Sequence, residues 1–467
     1  MNRLKISLGI MMLFYLPSIA QVDSLSLQQI VLKAIENNKQ LKLSALEIKK
    51  TEQLRKSIGH TYIPTLEASG MYAYSEGRLN LDTDAFQIAH GPITLPPLIP
   101  NLPPINLPAG NLNIPPIDNS SDYSGNFWMG GLTAKWTLFT GLKAPNLSKA
   151  VKHKQVSQEY LYQQEESDLI VEVAGYYDKV ALLEMTSKVL DAHKERLEKE
   201  QKKAEKALEN GLITQHDYQK IEIARLNLAS KEIEYNGNKN LLLLKLQQLT
   251  GLTYEEVSNI KVDLEPRIAS EQAASYLDRP ELKALDEASI ANDYKLKSEI
   301  SGYLPKVQAF ASHQYAGTTN GNIGSVGINE ASLYPVNAVG VGVKWEIFDG
   351  LHTHNERQKI KIEIDQLELK KAETKELLEL NYQNTISKYD TYTAQVVLKQ
   401  KELKVAEKSL QTSAKEYENG LIQISDLLES QTYYTEIALE YYKIISSQRE
   451  MSLQLLNTTG SLTPDKL

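Results

Sequence analysis

The chain has no cysteine among its 467 residues. Disulfide bonds, thiol catalysis, cysteine-based zinc sites and a lipid-anchored mature N terminus are therefore excluded. Apolar runs are short as well, since beyond residue 20 none reaches the roughly 18 apolar residues that a membrane-spanning helix needs. The mean hydropathy of −0.36 also argues against a polytopic helical membrane protein. We expect the fold to be held together by packing alone.

Positive charge is not in excess, because 51 basic residues face 59 acidic ones and the net charge is −8. This balance argues against nucleic acid as a partner. Residues 1–20 hold Arg3 and Lys5, an apolar run at 6–16 and the sequence Ser-Ile-Ala at 18–20. These features are typical of a secretory signal peptide, so we expect residues 1–20 to direct export and to be removed.

Glycine and proline are missing from two very long segments. Residues 351–419 contain neither, and residues 146–210 contain only Gly175. Each segment predicts one helix of about 100 Å at ~1.5 Å per residue. The same pentapeptide, Glu-Asn-Gly-Leu-Ile, ends both segments, at 209–213 and 418–422. Shorter Gly-poor segments follow each pentapeptide, and apolar residues recur every seven positions along the long segments. The pattern predicts two long helical hairpins that supercoil with neighbouring helices.

A strand with one apolar face precedes each long segment. One parity is apolar and the other is small or charged, as in Val339, Val341, Val343, Trp345 and Ile347, and again in Leu132, Ala134, Trp136 and Leu138. A soluble sandwich could give this alternation, but export and the absence of cysteine favour strands of a transmembrane barrel. Earlier strands are predicted near 65–75 and 306–316. Four strands cannot close a barrel, and open edges are forbidden in a bilayer, so subunits must close it together.

Further helices at 25–58 and 281–300 complete a duplicated plan of helix, two strands and long helical hairpin. The first repeat is predicted at 21–252, with a Pro-rich loop at 77–125 and a hairpin tip at 210–217. The second repeat is predicted at 253–467, with a linker at 253–280 and a tip at 419–426. Nine prolines in residues 92–116 predict an extended, partly polyproline surface loop.

Two duplicated motifs carry a family resemblance. They are Trp-x-x-Phe-x-Gly at 136–141 and 345–350, and Asn-Gly-Leu-x-x-x-x-Asp at 210–217 and 419–426. Because these motifs occur in this order and repeat at a constant offset, the chain resembles the TolC-like outer membrane efflux protein family over the whole mature sequence. The resemblance implies a mainly α fold with a β-barrel portion. It implies a homotrimer whose twelve-stranded outer-membrane β-barrel continues into a periplasmic α-helical barrel.

The resemblance also implies a function. Such a protein is a passive exit duct in the outer membrane that spans the periplasm and works with a periplasmic adaptor and an inner-membrane pump. It needs no cofactor and is not an enzyme. A duct for type I protein secretion or metal-ion efflux is an alternative. A secreted coiled-coil scaffold without a pore is a remote one, which the amphipathic strands disfavour.

The tips hold most of the candidate residues. A left-handed turn is expected at each tip glycine, and the resemblance makes the Gly-Leu pairs an adaptor-docking surface. It also implies an acidic ring at the tunnel entrance and a latch that closes the tips. At the position of the Arg that completes this latch in the family, however, this chain has Ile422. Carboxylates here could instead cap helix ends. We assign adaptor docking to Gly211, Leu212, Gly420 and Leu421. The acidic ring is assigned to Asp426 and Glu429, and the latch to Asp217 and Tyr417.

Two tryptophans, Trp136 and Trp345, are expected at the membrane interface, where aromatic residues of barrels gather. His352 and His354 are spaced poorly for two ligands on one helical face, so no metal site is predicted there. No nucleophile and base are combined in a recognisable constellation, so no catalytic residue is predicted.

Overall fold

The computed structural model describes residues 25–83, 86–95, 105–107, 109–114, 117–260, 264–268, 275–323 and 326–467. The expected signal peptide and most of the Pro-rich run lie outside these ranges. The described chain forms two compact units. The helical unit comprises residues 25–54, Lys149–Asp293 and Ile360–Leu467, and the sheet unit comprises Arg55–Ser148 and Tyr294–Lys359.

Long helices dominate the chain. Two of them, α3 and α7, have 67 residues each and so extend for about 100 Å, as the absence of glycine and proline predicted. Pro145 lies in the first turn of α3, where its missing N–H costs no intrahelical hydrogen bond. The helices are α1 Leu27–Asn37, α2 Lys39–Gly59, α3 Lys143–Glu209, α4 Gln215–Thr250, α5 Tyr254–Ser258, α6 Pro280–Glu299, α7 His352–Glu418 and α8 Ile424–Thr458.

The prediction of one helix over 25–58 is wrong, because the chain breaks at Asn38. The backbone of Asn38 is extended, with φ −62° and ψ 123°. Its side-chain Oδ1 accepts a hydrogen bond from the N–H of Leu41 at 2.9 Å. Asn38 therefore caps the start of α2, a local competition that the apolar pattern does not reveal.

A four-stranded antiparallel sheet forms the sheet unit, in the order β1-β6-β7-β8. The first and last strands in sequence are its two edges. All four strands are longer than the sequence predicted, except that β8 ends at Lys344 and leaves Trp345 and Ile347 outside it. Their bounds are β1 Thr65–Thr83, β6 Ile117–Phe139, β7 Lys306–Ile323 and β8 Val326–Lys344.

Short strands occupy much of the region that was predicted to be a loop, so that prediction is wrong for these residues. Strand β2 (Phe86–His90) pairs with β5 (Gly110–Ile114), and β3 (Ile93–Leu95) pairs with β4 (Ile105–Leu107). Paired residue numbers sum to the same value, 200, in these two ladders and in the β1–β6 ladder. One register therefore runs through all three ladders. Pro92 lies between β2 and β3, since proline cannot donate to a ladder.

The main core of the helical unit lies where α1, α3, α4 and α8 meet. Fully buried aliphatic side chains fill it, among them Ile30, Val31, Ile170, Val173, Leu246 and Leu453. None of the helices in the described ranges combines the length and the apolar character needed to cross a membrane.

Candidate functional site

Both long helices end in the same left-handed turn, as the repeated pentapeptide predicted. Gly211 has φ 71° and Gly420 has φ 75°. After α3 the N–H of Leu212 donates to the carbonyl of Ala207 at 2.8 Å, and after α7 the N–H of Leu421 donates to that of Glu416 at 2.9 Å. These bonds close a Schellman-type helix end. Leu212 and Leu421 are left exposed on the two turns.

The carboxylates of the tips cap the returning helices. Asp217 accepts hydrogen bonds from the Thr214 hydroxyl at 2.7 Å and from Lys220 Nζ at 3.3 Å. The Thr214 bond, and then Lys220, hold the pKa of Asp217 below its usual value. On α8, Asp426 Oδ2 accepts from the N–H of Gln423 at 3.1 Å. Both residues thus satisfy backbone or side-chain donors in the first turn, where a negative charge also complements the helix dipole.

Tyr417 packs against an apolar cluster shared by α3, α4, α7 and α8. Its buried members are Ala204, Ile221, Leu410, Ile424 and Leu427. Burial raises the pKa of Tyr417, and the carboxylates of Glu200 and Asp217 raise it further. Asp217 therefore lies close enough to Tyr417 for its charge to affect the tyrosine hydroxyl. Ile422, at the position where the resemblance implies an Arg, is half-buried.

An ion pair that the sequence did not suggest links the two long helices close to their tips. Lys203 Nζ on α3 lies 3.2 Å from Glu200 Oε1 and 3.2 Å from Glu418 Oε1 on α7. Lys203 and Glu418 are 215 residues apart, so no local pattern could reveal the contact.

A groove of about 590 Å³ lies beside α3, α4 and α8, and Glu429 is one of its lining residues. Its floor includes the buried His193, whose Nδ1 lies 2.8 Å from the hydroxyl oxygen of Thr435. That hydroxyl donates to the carbonyl of Gln431 at 2.8 Å, so His193 Nδ1 must carry the proton. Burial, then the positive charges of Arg196 and Lys231, lower the pKa of His193 to about 4.

The depressed pKa of His193 predicts a loss of stability in mild acid. Between pH 6.5 and about 4, His193 is protonated in the unfolded chain but not in the folded chain. The free energy of unfolding therefore decreases as the pH is lowered through this range. Over the whole range, the protonation of His193 lowers the free energy of unfolding by about 3 kcal/mol. We expect His193→Asn to flatten the pH dependence of the thermal midpoint in this window, measured by circular dichroism. His216→Asn, an exposed control, should keep the wild-type slope, and equal slopes in all three proteins would contradict the assignment.

The strand register sorts the sheet into two chemically different faces. One face is largely apolar, and Val339 on it is 86% exposed. The other is largely polar, and on it Lys135 Nζ lies 3.3 Å from Glu67 Oε2. The largely apolar face includes Leu66, Leu132, Ala134, Trp136, Ala309, Ala311, Val339 and Val341, together with His313 and Asn337, which hydrogen-bond to each other. The largely polar face includes Glu67, Thr133, Lys135, Gln308, Ser312 and Gln314, together with the apolar Phe310 and Val336.

The two tryptophans make equivalent hydrogen bonds in the two repeats. Trp136 Nε1 donates to the carbonyl of Tyr62 at 2.9 Å, and Trp345 Nε1 donates to the carbonyl of Tyr303 at 3.3 Å. Both rings remain about half exposed. Each indole thus has a satisfied polar end and an exposed apolar body, the combination that suits a membrane interface.

A second aromatic level lies further along the apolar face. Tyr72 pairs with Trp128, which lies eight residues before Trp136 on β6. The two levels are therefore about 26 Å apart along the strand at ~3.3 Å per residue. This spacing, shortened by the strand tilt, is comparable to the ~25 Å apolar band of outer-membrane barrels. In the described ranges, no group of three or more His, Asp or Glu residues is placed to hold a metal ion.

Three solved structures are similar to this chain. CmeC of Campylobacter jejuni, an outer membrane channel, has 14% identity and a TM-score of 0.70, covering 95% of this chain and 89% of CmeC. The outer membrane protein VceC of Vibrio cholerae has 14% identity and a TM-score of 0.67, covering 93% and 96%. The outer membrane channel MtrE of Neisseria gonorrhoeae, in its open state, has 14% identity and a TM-score of 0.63, covering 94% and 91%.

These similarities show the mixed β-barrel and α-barrel fold that the sequence predicted. No curated protein sequence matches the chain. The sequence profile described as outer membrane efflux protein matches residues 30–253 and 275–461, which is most of the chain. With its duplicated hairpins, its two-faced sheet and this match, the chain belongs to the outer membrane efflux protein family.

Proposed function

We propose that this protein is the outer-membrane exit duct of a tripartite efflux system. The observation that carries the proposal is the sheet, which has one largely apolar face and one largely polar face and whose edge strands, in the described chain, are β1 and β8. Such a sheet is stable in a bilayer only when copies of the chain close it into a barrel. Three copies would give twelve strands with a polar lumen. The two 67-residue helices of each copy would extend the duct across the periplasm.

The test of this function is conductance. Purified full-length protein should migrate as a trimer and form long-lived channels in planar bilayers, with the current carried by hydrated ions. A protein that stays in the outer-membrane fraction but never conducts would contradict the duct.

Selection of cargo would lie with the pump, so the tips would couple the duct to a periplasmic adaptor. The support is the exposed Leu212 and Leu421 on two equivalent turns. Gly211 has a positive φ and an added Cβ there meets no atom within 4 Å. We expect Gly211→Val to distort the α3–α4 turn, since left-handed backbone disfavours a β-branched residue. Because the proposed docking surface includes both turns, adaptor binding should weaken, and crosslinking from a photoreactive residue at Leu421 on the intact α7–α8 turn should fall about fivefold.

The trimer should survive the Gly211 substitution, because its sheet and helical core are untouched. Gly237→Val, in the middle of α4, is the matched control and should leave crosslinking unchanged. If crosslinking to the adaptor were equal in both variants, the tip would not be the docking surface.

Asp426 and Glu429 would form an acidic ring at the inner end of the duct. Three copies of each carboxylate would attract cations and repel anions at close range. We expect Asp426→Asn with Glu429→Gln to lower the cation-to-anion permeability ratio several-fold in single-channel recordings. The control is Glu376→Gln, because Glu376 is an exposed carboxylate on α7 far from the tip, and its substitution should leave the ratio unchanged. An unchanged ratio in the double variant would rule out the ring.

A further inference from the structure

Apart from the single apolar side chains Phe310 and Val336, the polar face of the sheet carries a group of three large apolar side chains on β1 and β6. Met71 pairs with Met129, and on the next pair of the same face Ala73 lies opposite Phe127. On the adjoining strand β7, Ala316 pairs with Met129 and Thr318 with Phe127. We call Met71, Phe127 and Met129, with the two alanines, the outer patch.

The patch contrasts with its surroundings on the same face. On β1 and β6 the rows before it carry Glu67, Ser69 and Thr133, and Glu67 forms an ion pair with Lys135. On β7 and β8 the same rows carry Gln314 beside the single apolar side chains Phe310 and Val336. Met71 is 49% exposed, Met129 38% and Phe127 37%. No other part of the described chain therefore covers these three side chains fully. Large apolar side chains left exposed in one group indicate a contact surface.

Lipid does not account for the patch. The opposite face of the same sheet is the apolar one, and at this level it carries Tyr72 and Trp128. Side chains alternate between faces along a strand, so Met71 and Met129 point away from the face that these aromatics occupy. If the sheet closes into the proposed barrel with its apolar face toward lipid, the patch faces the lumen.

We infer that the outer patch is a binding site in the lumen for amphipathic organic molecules with aromatic or aliphatic bodies. This inference rests on the proposed duct. Methionine adapts to ligands of different shape, and phenylalanine offers a flat aromatic surface. Three copies per trimer place apolar contacts beside a water-filled path, so a departing molecule can bind briefly without passing through lipid. The site favours efflux of such molecules over passage of hydrated metal ions.

The test uses block of ionic current in planar bilayers. Tetraphenylphosphonium, an apolar aromatic cation, should bind the patch and reduce the potassium chloride current of the wild-type trimer. In the variant Met71→Ser, Phe127→Ser, Met129→Ser the apparent Kd should rise about tenfold, because the apolar area that the ligand covers is lost. Tetramethylammonium carries the same charge with little apolar surface, and its weak effect should be equal in both proteins.

A conservative variant separates apolar character from folding. Met71→Leu, Phe127→Leu, Met129→Leu keeps the apolar surface, so its Kd for tetraphenylphosphonium should stay within about threefold of wild type. If the triple serine variant fails to assemble, Phe127→Ser alone should still raise the Kd about threefold.

Two results would overturn the site: equal block of the serine variant and wild type, or loss of block in the leucine variant to the same extent as in the serine variant. Absence of any potassium chloride current in the wild-type trimer would refute the duct itself, and the site with it. Current without dependence on the patch would refute the site alone.

Discussion

Val339→Arg should greatly reduce the amount of assembled trimer in the outer membrane, whereas Ala338→Arg should not. The two residues are neighbours on the edge strand β8 and lie on opposite faces of the sheet. Val339 pairs with Ala311 on the apolar face, and Ala338 pairs with Ser312 on the polar face. An arginine facing lipid costs about 2–4 kcal/mol at the middle of the bilayer and less toward the interfaces. Val339 lies in the row two residues from Trp136, so each copy should bear an intermediate cost of about 1–2 kcal/mol, and a trimer bears it three times.

The measurement is the yield of SDS-resistant trimer in outer-membrane fractions of cells that express each variant equally. Ala338→Arg should give trimer near the wild-type yield, and it should shift channel selectivity toward anions because a positive charge is added to the lumen. A reversed order, with Ala338→Arg the more damaging variant, would mean that the polar face meets lipid. The assignment of the two faces, and with it the proposed duct, would then be wrong.

Asp178→Ala should cost about 3–5 kcal/mol of stability, more than any exposed charge in the helical unit. Asp178 is buried in α3, and its Oδ1 accepts a hydrogen bond from Arg449 Nη2 at 2.7 Å. Arg267 Nη2 lies 4.0 Å from the same oxygen. Without the carboxylate, the buried guanidinium of Arg449 and the half-buried guanidinium of Arg267 would repel each other without compensation. Burial already lowers the pKa of Arg267, which indicates how poorly this environment tolerates positive charge.

The same cluster holds the segment 264–268 in place. Arg449 Nη1 donates to the carbonyl of Glu265 at 2.8 Å, and Gln448 Nε2 donates to the carbonyl of Arg267 at 2.7 Å. In return, the N–H of Arg267 donates to Gln448 Oε1 at 2.9 Å. Loss of Asp178 should therefore free this segment locally as well as lower overall stability.

Trypsin gives a direct readout, because release of the segment exposes the bond after Arg267. We expect Asp178→Ala to be cut there at least tenfold faster than wild type and to have a lower thermal midpoint. Asp286→Ala is the matched control, since Asp286 forms an exposed ion pair with Lys371, whose loss should cost less than about 1 kcal/mol. Equal cleavage and equal midpoints in the two variants would show that the buried cluster does not anchor the segment.

Much of this fold could be predicted from local sequence. The absence of glycine and proline from 351–419 predicted α7 almost to its ends, because nothing in that stretch interrupts helical hydrogen bonding. The pentapeptide predicted the positive φ at Gly211 and Gly420. The alternation around Val339 predicted a two-faced strand, although the strand stops at Lys344. Each of these features depends on residues within a few turns or a few strand positions.

What failed depended on local competition or on the pairing of distant strands. The side chain of Asn38 ends α1 and begins α2, which no apolar periodicity indicates. The Pro-rich region was predicted to be a loop, yet its non-proline stretches pair in the register that begins at Thr65 and Lys135. The high proline content of this region predicted a loop, but the prolines lie between the paired stretches and so do not interrupt the ladder.

The sequence by itself determined the class of this protein: two copies of a long helical hairpin with a two-faced pair of strands, which places it among outer membrane efflux proteins. Only the tertiary structure decided which distant residues meet. Lys203 contacts Glu418, Asp178 contacts Arg449, and Met71 lies opposite Met129, across separations of 215, 271 and 58 residues. Periodicity specifies which face a residue occupies, but register and packing between elements specify its neighbours, and binding sites are made of neighbours.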